Sequence, residues 1–289
     1  MIKYCIVIGN TAQYEYQMQH VRNQHIVPEF LLKNFSDDGL KIWTFDKSAI
    51  QQRWNEVKLR SISTTPTNKY FYDRTAGTKL GSLEYNLRDI EDQASSLISK
   101  LIIQKNLEIL SEEDKIKLSL FLATQSFRTI GGLGDVQYVN QQLKDFIEPH
   151  GVDTSSLDPR STWLDIIESS NEFIKHFLNK SWSLIISKSE FYISDNPFTR
   201  NNTTHVRQNR GNLGFDSKGI EIYLPLSSSV TLCLYCKETF PYNNTVFEAQ
   251  SENVEYLNWL QVKYSNRFIY SHNSNFELIY DMLAKNDLG

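Results

Sequence analysis

The strongest periodic signal along the chain is a stripe at Leu83, Leu87, Ile90, Ala94, Leu97 and Leu101, whose intervals of three and four predict an amphipathic helix of about twenty residues. Glu84, Arg88 and Glu91 run beside the stripe, at the boundary between a buried and a solvated face, where they can line a cleft. A second helix is predicted to open at Ser111, an N-cap residue followed by Glu112, Glu113 and Asp114, and to run to Arg128. Its Leu118, Phe121, Gln125 and Arg128 share one face, so an amide and a guanidinium continue a row aimed at the core. An arginine in such a row needs an acid or an anionic ligand. Gly131-Gly132 is expected to end this helix, with two more at about 135 to 147 and 162 to 178.

The flanking stretches have a different period. Pro28 pushes Val27 into extended conformation and suits a first helical turn, so His25-Ile26-Val27 should be extended and Glu29 to Phe35 helical, with the imidazole just ahead of the helix. Leu40 to Asp46 alternates as a half-buried strand after the turn residues Asp37-Asp38-Gly39, and a further extended piece is expected around Tyr70 to Asp73. Lys3 to Ile8 looks like a short strand or lead-in. Beyond Asn179 the pattern is β: strands around Trp182 to Ile186, Phe191 to Ile193, Ile220 to Leu224 and Val230 to Leu234, joined as an antiparallel sheet, with a long loop from Thr199 to Lys218. A helix at about 252 to 264, a strand at Arg267 to Ser271 and a helix at Asn275 to Ala284 follow. The fold class is α+β: residues 1–21 as a lead-in, then one domain over 22–289. Its central helices, about 82–178, pack with antiparallel sheet regions near the N-terminus and in the β-rich part, about 180–272.

Composition narrows the classes. With 40% hydrophobic residues the chain can bury a sizeable core, and a formal charge of -4 argues against a generally basic nucleic-acid surface while leaving room for a local basic groove. Cys5, Cys233 and Cys236 are too few for a disulfide framework, and no secretory leader is read at the start, so a reducing cytoplasmic compartment is expected. No apolar run reaches the roughly 18 to 20 residues of a membrane span. Cys233-Leu-Tyr-Cys236 has metal-like spacing but lies in a strand, which turns its sulfurs to opposite sides. There is no phosphate-binding glycine loop, nucleophile elbow or H-E-x-x-H helix. Trp43, Trp182 and Trp259 read as core rather than as a base-stacking platform.

Several short motifs follow one another along the chain: His25-x-Val27-Pro28 with Phe30-x-Leu32-x-x-Phe35, Ile-Trp-x-Phe-Asp46, Glu84 with Glu91, and Gln125-x-x-Arg128-Thr129. They continue with Ser194-Asp195-Asn196-Pro197, Leu224-Pro225-Leu226-Ser227, and Asn258 with Arg267-x-x-Tyr270-Ser271. Together, over roughly residues 22 to 272, they resemble a bacterial family catalogued as a domain of unknown function. That resemblance implies a common architecture and assigns no chemistry.

The candidate catalytic residues are His25, Arg128 and Asp195, with Gln125, Asn196, Glu84 and Glu91 as candidate ligand contacts. Imidazole and carboxylate can exchange protons, while a guanidinium holds a phosphate or stabilises developing negative charge. This inventory fits a hydrolase of phosphodiesters or a related nucleic-acid substrate, in a bacterial context such as phage defence, with Asp195 orienting His25 or holding a divalent metal. It also fits a non-catalytic ligand-binding or effector module whose polar residues hold a small anion, a nucleotide or nucleic acid, or brace the sheets. Open convergence of His25, Arg128 and Asp195 on one cleft favours the first class. Closed, fully paired side chains favour the second.

Overall fold

The computed structural model describes residues 21–52, 56–78, 81–204 and 211–285. The expected lead-in strand at Lys3 to Ile8, and Cys5 with it, lies outside the described residues.

A short strand β1 (Asn23–His25) leads through Pro28 into helix α1 (Glu29–Lys33), as the proline predicts, and Leu31, Leu32 and Phe35 are wholly buried behind it. Strand β2 (Lys41–Asp46) follows the turn at Gly39, whose φ of 67° suits glycine. Helix α2 (Lys47–Gln52) and strand β3 (Val57–Ser61) come next. The strand expected at Tyr70 to Asp73 is displaced: β4 is Thr67–Lys69, and Tyr70 takes a positive φ of 53° that turns the chain. The buried Gln24 side chain then captures the Tyr72 N–H at 2.6 Å, a donor that a continued strand would have given to a neighbour.

The helical middle is α3 (Glu84–Gln104), α4 (Glu112–Phe127), α5 (Ile130–Ile147), α6 (Pro159–Glu168) and α7 (Ile174–Leu178). Leu87, Ala94, Leu97 and Leu101 of α3 are buried as their stripe requires, and Ser111 and Asp114 close a reciprocal capping box at the start of α4. Gly131-Gly132 does not end α4. Thr129 begins a new helix by accepting the Gly132 N–H at 3.1 Å, and the glycines lie in its first turn. A Cβ on Gly132 would stand 2.1 Å from the Phe127 carbonyl oxygen, so this glycine allows two helices to meet at a tight corner.

Strands β5 (Lys180–Ile186), β6 (Ile193–Ser194), β7 (Thr199–Asn201), β8 (Glu221–Ser227), β9 (Val230–Cys236) and β10 (Thr245–Glu248) precede helix α8 (Ser251–Tyr264), strand β11 (Phe268–Ser271) and helix α9 (Glu277–Ala284). They form two larger sheets. In the five-stranded order β10-β5-β9-β8-β7, β5, β9 and β8 pair antiparallel as expected, and β10, a strand the pattern did not announce, runs parallel to β5. The other order, β3-β2-β11-β6, is antiparallel and draws on both ends of the described chain. The segment at Phe191 to Ile193 therefore supplies a strand of this second sheet and not a neighbour of β5. Trp182, Leu184, Leu224 and Leu232 of the five-stranded sheet share one core with Leu97, Leu101, Phe121 and Leu122 of α3 and α4. A second cluster packs Phe45 and Ile269 of the four-stranded sheet on Val262, Ile279 and Met282 of α8 and α9. The fold is α+β.

Candidate functional site

Arg128 sits at the C-terminal end of α4, 2% exposed, with its donors distributed among protein acceptors. Nη1 is paired with the Glu91 carboxylate on α3, Nη2 donates to the His25 carbonyl at 2.7 Å, and Nε donates to the Tyr72 hydroxyl at 3.3 Å. The guanidinium carbon lies 5.2 Å from the centre of the Tyr72 ring, and the Tyr72 hydroxyl donates to the Arg128 carbonyl at 2.8 Å. Burial pushes the Tyr72 phenol up to about 12. The acid that an arginine in a core row requires is thus Glu91, and the network ties α3, α4 and the β1 segment together.

Asp195 is equally committed. Its carboxylate accepts the backbone N–H groups of Asn266 at 2.8 Å, Arg267 at 2.8 Å and Phe268 at 2.9 Å, fixing the turn that leads into β11. Burial raises its pKa, against the pull of those donors and of Lys47. His25 turns its ring the other way: Nε2 lies 3.1 Å from the Ile62 carbonyl. The polar ends of the His25, Arg128 and Asp195 side chains therefore meet three different sets of partners, and only the His25 backbone touches Arg128. Asn196 bridges the first turn of α5 to the end of α8, accepting from the Thr129 hydroxyl at 3.1 Å and donating to the Tyr264 carbonyl at 3.1 Å. Gln125 is 0% exposed, and neither of its amide atoms has a hydrogen-bond partner among the described residues.

Glu84 is the exception among the expected residues. It lies one helical turn from Arg88 and two from Glu91 on α3, and its Oε2 is buried without a partner among the described residues. Burial pushes its carboxyl up to about 7; Glu91 and Asp73 add to the rise and Arg128 and Arg88 oppose it.

A cavity of about 300 Å³ opens beside these braces, between the loop ahead of β4, the first residue of α5 and the turn into β11. Arg60, Thr64, Asn68, Ile130, Asp195 and Arg267 contribute to its wall. Arg267 makes a two-pronged pair with Asp46 at 2.8 and 2.7 Å, which with Ser48 outweighs the effect of burial and holds the Asp46 carboxyl down at about 2. Arg60 reaches the same carboxylate only at 3.5 Å, and its Nε is buried with no acceptor among the described residues. Both guanidiniums stack on the Phe268 ring, at 5.3 and 4.5 Å from its centre. Arg60 and Arg267 share the Asp46 carboxylate, while the Lys47 ammonium donates to the Val262 and Ser265 carbonyls at 3.3 and 3.1 Å and acts on Asp195 through space. The first turn of α5 adds the positive end of its dipole through Ile130.

Asp195, expected from the sequence to share a site with His25 and Arg128, lines this wall apart from them, and its neighbours Arg60 and Arg267, with Asp46 as their partner, were not expected there. Asp46 and Arg267 both stand in the ordered motifs, yet they are 221 residues apart, and neither spacing nor periodicity pairs them. No group of three or more His, Cys, Asp or Glu side chains among the described residues is arranged to hold a metal ion, and no helix among them is long and apolar enough to cross a membrane. No curated protein and no solved structure matches the chain. A family model does match, over residues 23–275, a span that takes in α1, the Arg128 network, the five-stranded sheet and the cavity wall through β11; the chain belongs to the family described as Protein of unknown function (DUF4238).

Proposed function

We propose that the chain is a binding module for a small phosphate-bearing anion, held in the cavity between the loop ahead of β4, α5 and β11. The observation that carries this reading is Arg60: its guanidinium lines the cavity beside Arg267, and among the described residues it meets as acceptor only the distant oxygen of a carboxylate already paired with Arg267, with no acceptor for its Nε. A planar cation with unused donors at a cavity wall is suited to phosphate oxygens. Thr64, Thr67 and Asn68 can supply neutral hydrogen bonds, and the start of α5 favours negative charge. His25, Arg128 and Asp195 act in this reading as braces that hold the three sides of the cavity in place.

The test is thermal unfolding of the full chain with inorganic phosphate, pyrophosphate and adenosine 5′-monophosphate. Saturable stabilisation is expected, about 2.7 kcal/mol at a hundred times Kd, and it should be lost in Arg60→Ala while Arg267→Ala also lowers basal stability through Asp46. Absence of a saturable shift with all three probes, or an equal shift in Arg60→Ala, would overturn the proposal.

Phosphodiester hydrolysis is a second reading, and it rests on Glu84. A buried carboxyl held near 7 with a free oxygen has the protonation behaviour of a general acid or base at neutral pH. Single-turnover assays on RNA, DNA and nucleotides, with and without Mg²⁺ or Mn²⁺, should then show activity that Glu84→Gln abolishes in a folded protein. Activity unchanged by that substitution would remove the role.

A further inference from the structure

Helix α5 carries more apolar surface than its own fold uses. Leu133 and Val136 pack against the cluster of Trp163 and Leu164, and Asn140 is buried on the same side. At about 100° per residue, the next arc of the helix, about 140° wide, holds Tyr138, Val139, Leu143 and Phe146. These four are 66, 62, 43 and 70% exposed. A helix on the outside of a domain needs one apolar stripe and is polar elsewhere, whereas α5 has a second stripe that faces solvent. Single exposed apolar residues are ordinary, but a contiguous patch marks a surface of association.

Size and polarity together point to what covers it. With about 200 Å² for a whole aromatic side chain and about 100 Å² for an aliphatic one, the four expose about 350–400 Å². Homodimer interfaces are about 65% apolar, so this patch is the core of an interface of about 600 Å² per partner, the low end of what a specific dimer buries. A rim of one charge sign would repel a second copy, but the middle of the stripe is Gln142 and its edge Gln141, neutral amides able to pair with their own images. Asp145 on that edge accepts from the Gln141 amide at 2.8 Å. Asp135 lies at the N-terminal end of the stripe, and His150, whose ring is 5.9 Å from that of Phe146, at the other. A two-fold axis at Gln142 runs the two helices antiparallel. It sets Tyr138 of one copy against Phe146 of the other, each four residues from the axis, and brings Asp135 near His150, acceptor against donor. The helix dipoles then oppose one another favourably.

We propose that this face of α5 is a dimer interface whose occupant is a second copy of the chain, the two helices crossing antiparallel on a two-fold axis at Gln142. The interface is separate from the anion cavity. Ile130, the α5 residue in the cavity wall, stands on the opposite side of the helix from Val139, so association and anion binding are independent.

The test is sedimentation equilibrium of the full chain over a wide concentration range, joined to crosslinking. The expected result is a mass that rises towards twice that of the monomer with a midpoint of about 10–100 µM, as an interface of this size implies. Val139→Gln/Phe146→Gln alters two exposed side chains, so it should keep the melting temperature and raise the midpoint at least about tenfold. Gln142→Cys should be joined to its own image by a short bismaleimide, above the background of the unsubstituted protein, and Gln137→Cys, outside the apolar arc, should not. A monomer at every concentration would overturn the proposal. So would a dimer that the double substitution leaves unchanged, or equal crosslinking at the two cysteine positions, a comparison that stands whether or not the double variant folds.

Discussion

Arg128 meets a carboxylate, a phenol and a carbonyl in three directions, a task that depends on the planar fork of a guanidinium rather than on charge alone. Arg128→Lys keeps the charge but cannot reach all three, and it should cost about 2–4 kcal/mol in urea unfolding. An unchanged unfolding midpoint would show that the network is not a brace. Glu84 gives a pH signature with a definite sign. Its carboxyl is raised in the folded protein, from 4.5 to about 7, so the native state binds the proton more tightly than the unfolded chain. The stability contributed by that proton is complete below about pH 4.5 and disappears as pH rises through 7, a loss of about 3 kcal/mol. Glu84→Gln should flatten this slope between pH 5 and 8 and be the more stable protein at pH 8. Parallel stability curves for the two proteins would place the raised carboxyl elsewhere. Both residues stand out in sequence, one as a charge in a core-facing row and the other beside an apolar stripe. Glu91 stands out beside the same stripe, but its pairing with Arg128 and the part played by Tyr72 arise through tertiary packing that no local pattern encodes.

Among the elements, those with long clean periodicity were legible: α3, α4, α8, β2, β5 and β9 stand where their apolar spacing puts them. The errors fall at junctions, where side chains from distant segments override local preference. Gln24 takes the Tyr72 N–H and ends β4 early, and Thr129 converts an apparent glycine stop into the start of α5. The second case is testable. Gly132→Ala introduces a methyl group into the space of the Phe127 carbonyl, a backbone atom that cannot swing aside, and the α4–α5 corner must open. The expected cost exceeds about 2 kcal/mol, and it should lower phosphate affinity as well, since α5 forms one wall of the cavity. Wild-type stability in Gly132→Ala would show that the corner has slack. The cavity itself was only partly legible, because its wall joins residues from five separate stretches of chain, and of the expected candidates Asp195 alone lines it.

At the scale of the whole molecule, Asp195 is the point where the helical middle and the four-stranded sheet are joined: its neighbour Asn196 holds α5, and its carboxylate organises the turn before β11. Asp195→Ala leaves three backbone donors without their acceptor and should destabilise the protein by about 3 kcal/mol, with hydrogen exchange accelerated first at Asn266, Arg267 and Phe268. Uniform acceleration across all elements would argue that the turn is no separate unit. The pairing of β2 with β11, Asp46 opposite Phe268, has a consequence for how the protein comes into being. On the ribosome, β2 emerges with one edge unsatisfied and keeps it so until the residues of β11 have cleared the exit tunnel, more than two hundred peptide bonds later. A nascent chain arrested before Phe268 should be readily cut by protease in its N-terminal segments and be a client for chaperones that bind exposed strand edges, and release of the last strand should abolish both properties together.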